Sequence, residues 1–165
     1  MGQGYSFHCS RCGYDFHTSV GIGMLFPIVY EETLKAGREG GLGEDIREFL
    51  EEHPDGALDV SEAAYRCGDC GNYASDKVLS MYLPKASKED AGKEKGRWAV
   101  SFSGEGIDYV TPYELKGKYK FYQAHPHHCA ACGGRMRKLP EKDLRAGLKC
   151  PVCGEMMQTT GYLWD

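Results

Sequence analysis

At 165 residues, with 41% hydrophobic and 27% charged side chains, the chain has room for one medium domain or two small lobes of ordinary globular composition. Its net charge of −4 disfavours nonspecific attraction of the whole chain to nucleic acid. The charge is uneven: residues 1–115 hold 11 Lys/Arg against 20 Asp/Glu, residues 116–165 hold 9 against 4, so only the C-terminal part offers a basic surface.

The chain opens with Tyr5-Ser6-Phe7-His8-Cys9, and Tyr14 and Phe16 continue the alternation after Gly13, which predicts a strand, a tight turn and a returning strand. The apolar run from Val20 to Tyr30 is about half of the ~20 residues a membrane span needs, and Pro27 falls inside it, so it reads as buried strand and turn. Helices are predicted near Glu31–Arg38 and Glu44–His53. The second has Ile46, Phe49 and Leu50 on one face, Glu44 and Asp45 at its start and Pro54 beyond its end. A short helix is expected over Val60–Tyr65, led by Asp59 or Ser61 as cap, and a strand over Lys77–Leu83. Pro84 to Arg97 is charged, small or glycine, a solvated loop that either separates domains or forms a long hairpin tip. Trp98–Phe102 alternates again. Strands are expected at Tyr119–Tyr122, Arg135–Leu139 and Met156–Trp164, with a turn or short helix at Pro140–Gly147.

All eight cysteines occur as Cys-x-x-Cys pairs, Cys9/Cys12, Cys67/Cys70, Cys129/Cys132 and Cys150/Cys153, and each pair is followed by glycine (Gly13, Gly71, Gly133, Gly154). In a knuckle of this kind two thiolates hold one ion while glycine accepts the positive φ of the turn beneath them. The N-terminus lacks a basic segment followed by an apolar stretch, which predicts a reducing, cytoplasmic compartment where paired thiols hold metal rather than form disulfides. Met1-Gly2-Gln3-Gly4-Tyr5-Ser6 fits the loose N-myristoylation template, but a leader into the first strand accounts for the same residues. The 17 residues between Cys132 and Cys150 lie within the ~15–20 usual for a four-cysteine zinc site, so sequential pairing joins Cys129/Cys132 to Cys150/Cys153. By elimination Cys9/Cys12 joins Cys67/Cys70 across 54 residues, a gap that carries no spacing information. Interleaved or outer-to-outer pairing applies instead if the termini meet.

The four motifs, Cys9-Ser10-Arg11-Cys12-Gly13-Tyr14, Cys67-Gly68-Asp69-Cys70-Gly71, Cys129-Ala130-Ala131-Cys132-Gly133 and Cys150-Pro151-Val152-Cys153-Gly154, resemble zinc-ribbon and rubredoxin-type knuckle proteins, and the chain looks like a small bacterial protein carrying paired zinc ribbons. The likeness covers the knuckles and their strands and implies metal, not one activity. Two Zn2+ ions are expected, since zinc takes four thiolates without redox change. Iron is the alternative, because Cys12-Gly13-Tyr14 and Cys150-Pro151-Val152-Cys153-Gly154 are similar to the two halves of a rubredoxin site, although sequential pairing assigns them to different sites.

The expected architecture is α+β: two zinc-knuckle, zinc-ribbon-like antiparallel β units with a helical insertion in the first. Residues 1–115 form an acidic N-terminal lobe, with 84–97 a flexible loop, and 116–165 a basic C-terminal ribbon. His125-Pro126-His127-His128 reads as an exposed loop entering the third knuckle; His8 and His17 pack or hydrogen-bond near the first. Gly21-Ile22-Gly23 lacks the third glycine of a dinucleotide fingerprint, and no P-loop, H-E-x-x-H, G-x-S-x-G or zinc-deaminase pattern occurs, so no catalytic machinery and no small-molecule substrate are visible. The expected function is a non-enzymatic adaptor or regulatory module, with a rubredoxin-like electron carrier as the alternative. Its partner, protein or nucleic acid, would meet Lys116, Lys118, Lys120, Arg135, Arg137, Lys138, Arg145 and Lys149, interleaved with Tyr119, Phe121 and Tyr122. The competing arrangement turns those rings into the ribbon's own core and leaves only the lysines in solvent.

Overall fold

The computed structural model describes residues 2–85, 96–98 and 107–164. In chain order the elements are β1 (Gly2–His8), β2 (Asp15–Val20), α1 (Phe26–Arg38), α2 (Glu44–Glu52), β3 (Ala57–Leu58), β4 (Glu62–Cys67), β5 (Tyr73–Lys77), β6 (Met81–Pro84), β7 (Gly96–Trp98), β8 (Ile107–Tyr109), α3 (Pro112–Lys118), β9 (Tyr119–Gln123), β10 (Met136–Lys138), α4 (Glu141–Ala146) and β11 (Gln158–Trp164). The class is mixed α+β. The compact units are not two consecutive halves meeting at residue 115. One joins Met1–Gly23, Ser61–Lys77 and Pro126–Asp165, and the other joins Met24–Val60 and Val78–His125.

The first, the knuckle unit, contains two three-stranded antiparallel sheets of the same plan, ordered β11-β1-β2 and β10-β4-β5. In each, a hairpin carries one Cys-x-x-Cys turn and a strand from much later in the chain pairs with the hairpin's first strand. Strand alternation places Tyr5, Phe7 and Phe16 on one face. Their rings run in series to Tyr73 of the other sheet, with centroids 6.3, 5.9 and 5.3 Å apart. Leu144 of α4, Leu148, Met157 and the sulfurs of Cys9 and Cys150 complete this core. Backbone bonds tie the sheets together, Gly21 and Glu62 exchanging amides at 3.0 and 2.9 Å.

The second, the helical unit, packs α1 and α2 with the sheet β3-β6-β9 and the β7–β8 pair. Ile46, Phe49 and Leu50 of α2 are buried, as their spacing predicts. Gly37 lets the helices close up: a Cβ there would lie 2.9 Å from Leu50 Cδ1 and 3.0 Å from Ile46 Cγ2. Thr111 and Glu114 form a reciprocal capping box at the start of α3.

Three expectations are corrected. Pro27 does not break a strand; it occupies the first turn of α1, where its missing N–H costs nothing, so the helix begins well before Glu31. The helix expected over Val60–Tyr65 is strand β4, paired on both sides, because burial of Ala63, Ala64 and Tyr65 in a sheet overrides the local helix signal. The strand expected over 77–83 is interrupted, Lys77 ending β5 and Met81 beginning β6. The charged stretch of the 84–97 loop from 86 to 95, and residues 99–102 of the strand expected at Trp98–Phe102, lie outside the described residues.

Candidate metal centres

The first two knuckles follow strands β1 and β4, and the last two follow isolated bridges at His128 and Lys149; each buries its first cysteine and ends in glycine. Gly13, Gly71, Gly133 and Gly154 have φ of 75°, 75°, 74° and 77°. Beneath Gly13, Gly133 and Gly154 a Cβ would meet nothing within 4 Å, so the conformation rather than lack of space calls for glycine. The turns also share their hydrogen bonds. The Gly13, Gly133 and Gly154 amides donate to the carbonyls of Cys9, Cys129 and Cys150 at 2.8–2.9 Å, and the cysteine amides close the loops to Tyr14, Asn72, Gly134 and Glu155.

The four turns bring the eight sulfurs into two clusters, Cys9/Cys12/Cys150/Cys153 and Cys67/Cys70/Cys129/Cys132, with the ligand atoms of each within 4.8 Å of one another. The sequential pairing is therefore wrong and the nested, outer-to-outer pairing is right. The cause is β11: it returns to pair with β1 along its whole length, Gly2 opposite Trp164 and His8 opposite Gln158, and so carries the fourth knuckle to the first. Gly2 and Gly4 face the Trp164 and Tyr162 rings, which fill the space a Cβ would take. That match of small against large residues at the two ends is the sequence signal for the pairing. In the inner cluster β10 does the same for β4, Met136 lying opposite Cys67.

Distances between sulfurs suit a tetrahedral ion. Cys9–Cys153 and Cys12–Cys150 are 3.5 and 3.4 Å apart, Cys67–Cys132 and Cys70–Cys129 3.5 and 3.6 Å. Sulfurs at about 2.3 Å from a tetrahedral centre stand about 3.8 Å apart, so a small expansion accommodates a metal. The thiols are electrostatically divided. Cys67 is brought down to about 6, first by the amides of Cys70 and Asp69. At Cys150 burial acts most strongly and upward, yet the amides of Cys153 and Val152 and the neighbouring thiols bring it to about 7. Cys12 and Cys132 go the other way, to about 12: the Tyr14 and Gly134 amides lower them, but adjoining sulfurs and burial outweigh that. Four thiolates crowd one another until a cation supplies the opposing charge. With four cysteines in each cluster, no ligand position is left for water.

No histidine joins either cluster. His8 binds Asp15 at 2.8 Å and His17 meets Ser6 at 2.9 Å, as their place near the first knuckle suggests. The expected exposed histidine loop holds only for His128; His127 packs against Tyr65 with ring centroids 4.1 Å apart and planes tilted by 33°, and faces Asp76 at 3.3 Å, its side chain 8% exposed. His125 belongs to the helical unit and pairs with Asp45 at 2.8 Å. The expected basic ribbon is likewise divided. Arg135, Arg137, Lys138, Arg145 and Lys149 belong to the knuckle unit, whereas Lys116, Lys118, Tyr119, Lys120, Phe121 and Tyr122 belong to the helical unit. There Phe121 and Tyr122 are 59% and 46% exposed. No helix among the described residues is long and apolar enough to cross a membrane. Comparison with family models, with curated proteins and with solved structures gives no match.

Proposed function

We propose that the chain is a zinc-braced, non-enzymatic adaptor whose two Zn2+ ions hold nested ribbons together. The observation that carries this reading is the pair of closed four-cysteine clusters, which favour zinc and offer substrate no coordination site. Bracing leaves the surface to do the work. The surface best suited to an anionic partner, a nucleic acid or an acidic protein, is the α3–β9 stretch, where Lys116, Lys118 and Lys120 accompany the exposed rings of Phe121 and Tyr122. Binding there weakens with salt in proportion to the phosphates or carboxylates engaged. Purified protein that carries two zinc ions but shows no salt-dependent association with single-stranded RNA, DNA or an acidic polypeptide would remove the adaptor role while leaving the metal assignment intact.

One observation favours a second reading. The two rubredoxin-like halves, Cys12-Gly13-Tyr14 and Cys150-Pro151-Val152-Cys153-Gly154, share the outer cluster. That site suits iron and one-electron transfer. A coloured preparation with one iron and one zinc per chain, bleached by dithionite, supports it; a colourless one with two zinc ions excludes it.

A further inference from the structure

The helical unit contains a cleft of about 290 Å3 between α1, the loop from Pro54 to Gly56, β8 and the start of β9. That is at the small end of the roughly 300–1,000 Å3 usual for small-molecule sites, room for a small ligand or one side chain. Its aromatic lining is three tyrosines, Tyr30, Tyr109 and Tyr119, with Tyr30 buried at 2% exposure. Its charged lining is Glu31, Asp55 and Asp108 against one cation, Arg38. Among the described residues no ion pair joins Glu31, Asp55 or Asp108 to a basic side chain. The surrounding unit deepens the negative field, since Met24–Val60 and Val78–His125 together hold 11 Lys/Arg against 16 Asp/Glu.

We propose that this cleft binds an alkylammonium group, the rings of Tyr109 and Tyr119 packing on its methylenes and the Glu31 and Asp55 carboxylates meeting its charge. Three alternatives fit less well. A divalent metal needs ligand atoms converging on one point, and the only acid, cysteine or histidine groups that converge among the described residues are the two cysteine clusters. An anion would meet three carboxylates and a single guanidinium. A neutral apolar ligand would leave those carboxylates unused, whereas aromatic faces beside carboxylates attract organic cations. Burial raises the Tyr30 and Tyr119 phenols, which keeps these two uncharged, and at Tyr119 the Glu114 and Asp55 carboxylates add to it.

An alkylammonium comes either as a free diamine or as a lysine side chain of a partner protein. Calorimetric titration of the metal-loaded full chain with butane-1,4-diamine and with a short lysine-containing peptide, at low salt, separates the two. We expect at least one to bind with a dissociation constant below about 1 mM, where the binding free energy is about −4 kcal/mol. The tighter ligand names the source. Because Asp108 stands opposite Arg97 in the β7–β8 register, the test variant is Glu31→Gln with Asp55→Asn, both exposed and outside the core. It weakens binding about fivefold or more, as does Tyr119→Leu through loss of the ring, while circular dichroism of the double variant is unchanged. Binding of butane-1,4-diol as tightly as the diamine, an unchanged constant in the double variant, or no binding of either cation at several millimolar would overturn the proposal.

Discussion

The knuckle unit and the helical unit have different means of support. In the knuckle unit the buried core is a short aromatic series with Leu144, Leu148 and Met157, and four of its buried side chains are cysteines. Its eight cysteines sit in tight turns that gather the sulfurs into two clusters able to hold metal ions. The helical unit holds no cysteine and buries large apolar residues instead, Phe26, Tyr30, Ile46, Phe49, Leu58 and Met81 among them. One chain therefore combines a unit that offers two four-cysteine metal sites with a cysteine-free unit built on a larger apolar core.

Metal removal breaks this comparison most strongly. A structural zinc site contributes roughly 10–16 kcal/mol of folding free energy, more than the net stability of most domains. A strong chelator should therefore unfold the knuckle unit while helical circular dichroism from α1 and α2 persists. Equal loss of both signals would show that the helical unit cannot stand without the metals. The converse test is Phe49→Ala, which removes a side chain packed on Tyr122 and His53 at ring separations of 5.3 Å. A loss of about 3–5 kcal/mol is expected in the thermal transition of the helical unit, with metal content unchanged. Gly13→Ala sharpens the account of the turns: forcing a side chain to φ +75° costs about 1–2 kcal/mol, and metal affinity of the outer site should fall about tenfold while the inner site keeps its own. The smallest effect is Thr111→Ala. It deletes the capping box of α3 for about 1 kcal/mol and should leave metal binding untouched.

The sequence made some of this legible and hid the rest. Period-two alternation announces β1 and β2, and Ile46, Phe49 and Leu50 announce α2, because each element buries one face. The cysteine pairs identify the ligands directly, since few other roles require four glycine-followed knuckles. Helix α3 has no apolar periodicity to betray it; its only mark is Thr111-Pro112 with Glu114, a cap with one buried residue, Leu115, behind it. Strand β4 reads locally as helix, and only its two neighbours make it a strand. The pairing of the knuckles was obscured because closing a long loop costs little more than closing a short one, the entropy rising only with the logarithm of length. Spacing therefore favours neighbours weakly, and the contact of β11 with β1 decides against them.

Nested pairing is the central claim, and differential alkylation of a Cys9→Ser/Cys12→Ser variant, mapped by mass spectrometry beside its metal content, tests it most directly. The nested arrangement predicts one metal per chain, with Cys150 and Cys153 newly reactive and Cys67, Cys70, Cys129 and Cys132 still protected. New reactivity at Cys67 and Cys70, with Cys150 and Cys153 protected, would contradict it.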